Sequence, residues 1–267
     1  MPTATLPAAP AAPASASAFQ PAASIDEVIA RLDQIIARSL SAGDRLCYFA
    51  CLYRQVTQRV KEGIEGGRFQ DGPRMERLDV IFANRYLAAE HAFRAGGTPS
   101  RSWSASFSAA RSWPPLVLQH LLLGMNAHIN LDLAVAAVET APGKQLAGLS
   151  HDFHEISVLL GEMIDGVQDR IDRISPWIGL LDRIGHRTDE RICTFCLDAS
   201  RDVAWEAARV LNHAQGELRL GEIDRLDRAA VLLARGIRSP GRWSRLPLWI
   251  IRSREPNDER TVIDALS

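Results

Sequence analysis

The chain has 267 residues, of which 46% are hydrophobic and 24% are charged. This length and composition allow a buried core without disulfide or metal support, and they exclude collagen-like and low-complexity proteins. The 31 basic and 32 acidic side chains give a formal net charge of −1. The chain as a whole therefore has no electrostatic attraction to nucleic acid, and we predict no nucleic-acid partner.

The first 24 residues are rich in Ala, Pro and Ser and have neither the basic segment nor the continuous apolar run of a secretory signal. We predict a disordered tail over 1–24. The cysteines form two close pairs within helical patterns, Cys47 with Cys51 and Cys193 with Cys196. Such spacing is typical of buried thiols in a reducing compartment, so we predict a cytoplasmic protein.

Hydrophobic residues at three-to-four spacing predict helices along most of the remaining chain. They cover about 24–42, 44–63, 74–93, 116–139, 150–174, 176–184, 188–215 and 222–237, with Ser150 as the expected N-cap of the fifth. A Ser- and Trp-rich stretch that ends at Pro114-Pro115 is predicted to be a connection without regular structure. Strand-like alternation is not sustained anywhere, so the predicted fold class is all-α.

The helix over about 116–139 is apolar on every side, which predicts a single compact multi-helix bundle with this helix buried at its centre. No apolar run of membrane-spanning length is expected, because Gln119 and His120 interrupt the longest candidate, Leu116–Leu123. We predict an all-helical domain over 25–238 and an Arg- and Trp-containing extension over 239–267.

Four polar residues lie in the middle of this apolar helix, where they are costly unless partnered. They are Asn126, His128, Asn130 and Asp132. At about 100° per residue, His128 and Asp132 share one face, while the two asparagines point the opposite way. This is the stretch of the sequence that most resembles a functional site.

We predict catalytic roles for these four residues. His128 would act as a general base or metal ligand, and Asp132 would orient it or ligate the same divalent metal ion. Asn126 and Asn130 would position substrate or fix neighbouring helices. In a second interpretation, which stays open, His128 and Asp132 satisfy each other in the core and the network is structural.

Seven arginines and no acidic residue lie between Arg228 and Arg254, together with Trp243 and Trp249. Contact with an anionic surface is one interpretation of this pattern. We favour the other, in which the tryptophans cap the core and the arginines stay solvated. Pro240 and Pro247 argue against one continuous membrane-binding helix.

The segment Met125–Leu133 resembles the signature of an uncharacterised bacterial family of all-helical proteins. The resemblance extends to Leu78–Tyr86, Asp152-Phe153 and Ala199–Trp205, and it covers about Ile25 to Ala230. It implies that Asp79, Asn84 and Asp152 belong to one polar constellation with the four residues of the central helix, as supporting residues. It implies no reaction, and Ser157 stands where the resemblance leads us to expect Asn.

We therefore hypothesise a small-molecule enzyme, with specialised metabolism as the expected setting. It would use the buried His, Asp and Asn side chains for acid–base or metal-assisted chemistry on a small-molecule substrate. The alternative is a non-catalytic helical binding or scaffold protein, in which the buried polar network fixes how the helices pack. The sequence leaves both hypotheses open.

Overall fold

The computed structural model describes residues 18–112, 115–175, 197–239 and 245–266. All regular structure in these ranges is helical, which confirms the all-α prediction. The eleven α-helices of the described ranges are α1 (Ile25–Ala42), α2 (Leu46–Glu65), α3 (Gly72–Arg94), α4 (Arg101–Ala110), α5 (Val117–Ala127), α6 (Ala134–Thr140), α7 (Leu146–Ile174), α8 (Leu197–His213), α9 (Gly216–Arg238), α10 (Arg245–Arg252) and α11 (Glu259–Leu266). A π-helical segment, His128–Leu133, joins α5 to α6, and a 3-10 turn, Gly143–Gln145, precedes α7.

Local side chains set several helix ends. The Ser24 hydroxyl accepts a hydrogen bond from the Glu27 amide at 3.2 Å and caps α1, and the Asp71 carboxylate accepts one from the Arg74 amide at 2.9 Å and caps α3. Gly43 ends α1 in the left-handed conformation, with φ 62°. A side chain there would be strained, which is why glycine is favoured at this position.

Three predictions about helix bounds are wrong. The helix predicted over 222–237 starts at Gly216. The predicted connection before Pro115 contains α4, whose N-cap is Ser100 and whose Trp103 and Phe107 are buried on one face. The helix predicted to start at Ser150 starts at Leu146 instead. The Ser150 hydroxyl donates to the Ala147 carbonyl at 2.9 Å within the first turn. The predicted helix over 176–184 lies outside the described residues, as does the start, 188–196, of the helix predicted over 188–215.

The central element is the continuous helical run of α5, the π-helical segment and α6, which confirms the predicted buried helix. Over Val117–Thr140 it is long and apolar enough to cross a membrane, so the expectation that no such run exists is wrong. However, 89% of its most apolar window is buried within the protein, as in the core helix of a globular domain. Helices α1–α4 pack on one side and α7 and α8 on another.

The C-terminal helices belong to the same packed body. In α10, Leu248 and Ile251 pack against Leu116 at the start of the central element. In α11, Val262, Ile263 and Leu266 pack with Cys47 and Tyr48 of α2. Residues 245–266 of the predicted extension therefore contribute to the core.

The favoured interpretation of the C-terminal Arg and Trp residues is wrong for two of them. Trp249 is 58% exposed rather than capping the core. Arg252 is buried, and its Nη1 lies 3.8 Å from Glu255 Oε2. Trp243 lies outside the described residues.

The end of the predicted N-terminal tail is bound to α3. The Ala22 amide donates to Asn84 Oδ1 at 2.7 Å, and Asn84 Nδ2 donates to the Ala22 carbonyl at 2.9 Å. The Phe19 ring lies 5.8 Å from the His91 ring. Residues 18–24 are therefore part of the packed domain, while 1–17 lie outside the described residues.

Candidate functional site

The π-helical segment carries His128 and Asp132. His128 Nδ1 lies 3.4 Å from Asp132 Oδ2, so the two side chains share a face as predicted. A π-helical turn inside an α-helix widens the helix locally, and such turns occur frequently at functional sites. The sequence pattern gives no sign of it, because His128 and Asp132 share a face in either geometry.

Asp132 is buried and accepts hydrogen bonds from side chains of three elements. Arg85 Nε of α3 donates to Oδ1 at 2.9 Å, and Trp103 Nε1 of α4 donates to Oδ2 at 2.8 Å. His128 Nδ1 is the third donor when that nitrogen carries the proton. Since charge-assisted hydrogen bonds are the strong ones, the carboxylate is fixed in position.

Aromatic rings enclose the His128 imidazole. The Phe82 ring is stacked on it with centroids 3.5 Å apart, and the Tyr53 ring meets it edge-on at 4.6 Å. Phe49 and Trp103 each lie 5.8 Å away. Burial lowers the pKa of His128 and outweighs the opposing effect of Asp132. The imidazole is therefore neutral near pH 7, and its Nε2 has no hydrogen-bond partner in the described part of the chain.

A cleft of about 520 Å³ opens between α3, α4 and the central element. Its walls are mostly apolar, and its polar groups gather around Arg85. The lining residues include Ile81, Ala88, Ala92, Pro99, Trp103 and Leu131 among the apolar ones, and Asn84, Arg85, Asp132 and Glu139 among the polar ones. Asp132 therefore reaches the cleft, whereas His128 lies behind it in the aromatic shell.

Arg85 connects the two carboxylates of the cleft. Its Nε donates to Asp132, and its Nη1 lies 3.9 Å from Glu139 Oε1. The two terminal nitrogens have no hydrogen bond to any described residue within normal distance. Glu139 is 43% exposed while Asp132 is buried, so Glu139 is the accessible carboxylate. Together the three side chains carry a net charge of −1.

The two asparagines lie away from the cleft. Asn126 is fully buried, and its Nδ2 donates to the Ala230 carbonyl of α9 at 2.8 Å. Asn130 Nδ2 donates to Asn126 Oδ1 at 3.0 Å. They face opposite to the His128–Asp132 pair, as predicted, and Asn126 connects the central element to α9. Their catalytic role stays a prediction, and these contacts favour the role of fixing a neighbouring helix.

The supporting residues are dispersed. Asn84 lines the cleft, but its amide holds Ala22. The Asp152 carboxylate accepts hydrogen bonds from the amides of Gln70 and Asp71, at 2.7 and 3.2 Å, and from Arg74. It ties α7 to the start of α3.

Asp79 is a different case. It is buried in α3, and its Oδ2 has no hydrogen-bond partner among the described residues. Burial raises its pKa to about 7. Burial raises the pKa of Tyr53, whose ring meets His128, and the charge of Asp79 raises it further.

A metal at His128 and Asp132 lacks further ligands in the described part of the chain. No group of three or more His, Cys, Asp or Glu side chains there could hold a metal ion. Both Asp132 oxygens already accept from N–H donors. Cys47 is buried, and burial raises the pKa of its thiol to about 12, while Cys193 and Cys196 lie outside the described residues.

Sequence reasoning missed three residues of the cleft. Arg85 follows Asn84 within the segment that carries the family resemblance, and a cation beside the expected Asp and Asn residues was a usable signal. Trp103 lies in the segment that the sequence predicts to be a connection, so its burial is not expected. Glu139 lies seven residues after Asp132, a spacing that returns a side chain to nearly the same helix face.

The residues of the cleft all lie within the part of the chain that matches a known family. The model of a family of unknown function, DUF5995, matches residues 25–240. The chain belongs to this family. Comparison with curated proteins and with solved structures finds no match. The DUF5995 match confirms the predicted membership in an uncharacterised family and includes all of α9.

Proposed function

We propose that this DUF5995 protein is a small-molecule enzyme whose substrate binds in the cleft at Arg85, Asp132 and Glu139. One observation carries the proposal. Asp132 is a buried carboxylate that three side chains from different segments hold in place, yet it lines a cleft that opens to solvent. A carboxylate needed only for packing has no reason to face such a cleft.

The contacts assign a role to each side chain. Asp132 binds Arg85 through Nε, which leaves the terminal nitrogens to donate to a substrate oxygen and to stabilise negative charge that develops on it. Glu139 is the accessible proton acceptor beside that position. His128 and Trp103 are positioning residues, because they act on the substrate through Asp132. The hypothesis that His128 takes the proton itself is less well supported, since the aromatic shell separates it from the cleft.

The charge of the cleft favours a class of substrate. With a net charge of −1 on its three charged side chains, the cleft disfavours an anion and favours an uncharged or cationic molecule. The walls of Ile81, Ala88 and Leu131, with Trp103, suit an apolar body. We propose an uncharged or cationic substrate with an apolar body and one hydrogen-bond-accepting oxygen.

Three probes of similar shape test the binding part of the proposal. Benzamide, benzylamine and benzoate are titrated while the indole N–H signal of Trp103 is followed by NMR. We expect benzamide and benzylamine to shift this signal at lower concentration than benzoate, and Arg85→Gln to weaken benzamide binding. Absence of any shift, or a preference for benzoate, would contradict the proposed substrate class.

Mass spectrometry tests the catalytic part. The wild-type protein, Glu139→Gln and Glu206→Gln are each incubated with a bacterial metabolite extract. Glu206 is a matched control because it is an exposed glutamate of α8 paired with Arg209. We expect compounds that the wild type and Glu206→Gln consume and Glu139→Gln does not. If Glu139→Gln consumes the same compounds, Glu139 is not the catalytic residue and the mechanism is wrong.

Comparison of Asp132→Asn with Asp152→Asn distinguishes a role in ligand binding from a purely structural role. Each of these buried carboxylates accepts hydrogen bonds from several N–H donors, and each has an arginine partner. Removing one partner of a buried ion pair costs on the order of 3–5 kcal/mol, so both variants lose stability. Under conditions where both remain folded, only Asp132→Asn is expected to lose probe binding.

A non-catalytic scaffold is the second candidate function, and the Asn126–Ala230 contact favours it. This buried hydrogen bond fixes how α9 packs on the central element without touching the cleft. Probe binding without consumption of any metabolite would indicate a binding protein. Absence of both probe binding and metabolite consumption would support the scaffold function.

A further inference from the structure

Helix α10 is apolar on two opposite faces. Leu248 and Ile251 pack inward against Leu116, whereas Leu246 is 66% exposed and Trp249 is 58% exposed. A helix that is apolar all round is normally buried on all sides. The outward face of α10 therefore has the composition of a buried surface, yet no described residue covers it.

The C-terminal end of α9 lies at the same end of the bundle. Gln119 Nε2, in the first turn of α5, donates to the Ile237 carbonyl at 2.6 Å, and the adjacent Leu116 packs on α10. Both helix ends thus rest on the first turns of α5.

Exposed leucines and arginines share this end. Leu232 and Leu233 are 64% and 43% exposed, and Arg235 and Arg238 are exposed in the last turns of α9. Leu232, Arg235 and Arg238 lie within about 120° of one another around the axis of α9. We call these three residues, together with Leu246 and Trp249, the C-terminal face. No acidic residue occurs anywhere between 228 and 254 in the sequence. The face is therefore both apolar and basic.

We propose that the C-terminal face docks on the surface of an anionic lipid bilayer. Tryptophan and leucine insert at the boundary between headgroups and acyl chains, and arginines bind the anionic headgroups beside them. A second copy of the chain is a poor occupant, because it would bring arginines against arginines. Nucleic acid would satisfy the arginines but would leave the leucines without a favourable contact. This inference concerns where the protein acts and is independent of the cleft.

Vesicle co-sedimentation of the full chain tests the proposal. We expect binding to vesicles of phosphatidylcholine with phosphatidylserine, little binding to phosphatidylcholine alone, and weaker binding as salt increases. Leu246→Ser/Trp249→Ser and Arg235→Gln/Arg238→Gln are each expected to weaken binding by roughly tenfold. All four side chains are exposed, so these variants should fold, and circular dichroism checks that they do.

Val203→Ser/Val210→Ser is the matched control. These valines on α8 are 60% and 53% exposed and lie outside the C-terminal face. The control is expected to bind anionic vesicles like the wild type. Equal binding to both kinds of vesicle, no binding to either, or equal loss in the control and in Leu246→Ser/Trp249→Ser would each overturn the proposal. Preference for a single-stranded oligonucleotide over anionic vesicles would overturn it as well.

Discussion

The Phe82 ring lies flat on the His128 imidazole, with centroids 3.5 Å apart and planes within 6° of parallel. This contact links core packing to the cleft. Phe82 and its aromatic neighbours hold the imidazole, the imidazole meets Asp132, and Asp132 fixes the Arg85 side chain that lines the cleft. Because burial lowers the pKa of His128, the ring remains neutral and can act as an N–H donor.

Two substitutions of His128 separate packing from hydrogen bonding. His128→Ala empties the aromatic shell and is expected to cost about 2–5 kcal/mol of unfolding free energy, as other large-to-small core changes do. His128→Phe keeps a ring there and is expected to cost about 1–3 kcal/mol, because the phenyl ring is larger than the imidazole, while removing the donor to Asp132. Urea unfolding measures the stability of each variant, and benzamide titration measures how tightly the cleft binds the probe. If His128→Phe binds benzamide like the wild type, His128 does not position Asp132.

Gly124 permits the close approach of α2 to the central element. A Cβ atom at this position would lie 2.4 Å from two atoms of the Phe49 ring, which itself lies against His128. Gly124→Ala is therefore expected to destabilise the protein by about 1–3 kcal/mol, although alanine is the better helix former. Thermal unfolding measures the change.

Gly161→Ala is the control for this prediction. Gly161 is an exposed residue of α7, and a Cβ atom there meets nothing within 4 Å. Alanine should therefore stabilise the protein by up to about 1 kcal/mol. If both variants gain stability, Phe49 relaxes without cost and the close approach does not require glycine.

The sequence predicts the long helices well because each has an amphipathic or fully apolar pattern that matches its burial. It fails at α4, whose ten residues include four serines and too few turns for a clear period. The sequence also does not predict the π-helical segment, since the segment changes the face shared by His128 and Asp132 only slightly. Hydrophobic periodicity reports which residues are buried, and it does not report the local hydrogen-bond spacing.

The candidate site is only half predictable for a related reason. The cost of burying Asp132 and His128 in an apolar helix marks them in the sequence. Their partners Arg85 and Trp103 come from other helices, and no spacing rule relates those helices to the central element. The sequence therefore identifies the buried acceptor and misses two of its donors, and with them the cleft.

Asn126→Ala tests the contact between the central element and α9. It removes the hydrogen bond that Asn126 donates to the Ala230 carbonyl and the one that it accepts from Asn130. A typical hydrogen bond contributes about 0.5–1.5 kcal/mol, so a loss of about 1–3 kcal/mol of unfolding free energy is expected. Asn130→Ala is the matched comparison and should cost less, because Asn130 is less deeply buried and its hydrogen bond goes to Asn126 rather than to α9. Equal thermal unfolding of the two variants would contradict a role for Asn126 in fixing α9.

The pH dependence of the unfolding free energy should reveal the protonation of Asp79. Burial raises its pKa from 3.8 to about 7, so the folded protein binds a proton more tightly than the unfolded chain. The stability that this proton contributes is fully present below pH 3.8 and is lost as the pH rises through 7. The difference between the two pKa values corresponds to on the order of 4 kcal/mol of unfolding free energy.

Asp79→Asn keeps the shape of the side chain and removes this dependence. The variant is therefore expected to gain stability relative to the wild type between pH 4 and 7, with a constant difference at higher pH. His120 and His128 act in the opposite direction, because their lowered pKa values make stability fall as the pH drops below 6.5. Both histidines are present in both proteins, so their effects cancel in the difference between the two urea-unfolding curves. A difference that does not change with pH would mean that Asp79 is ionised in the folded protein.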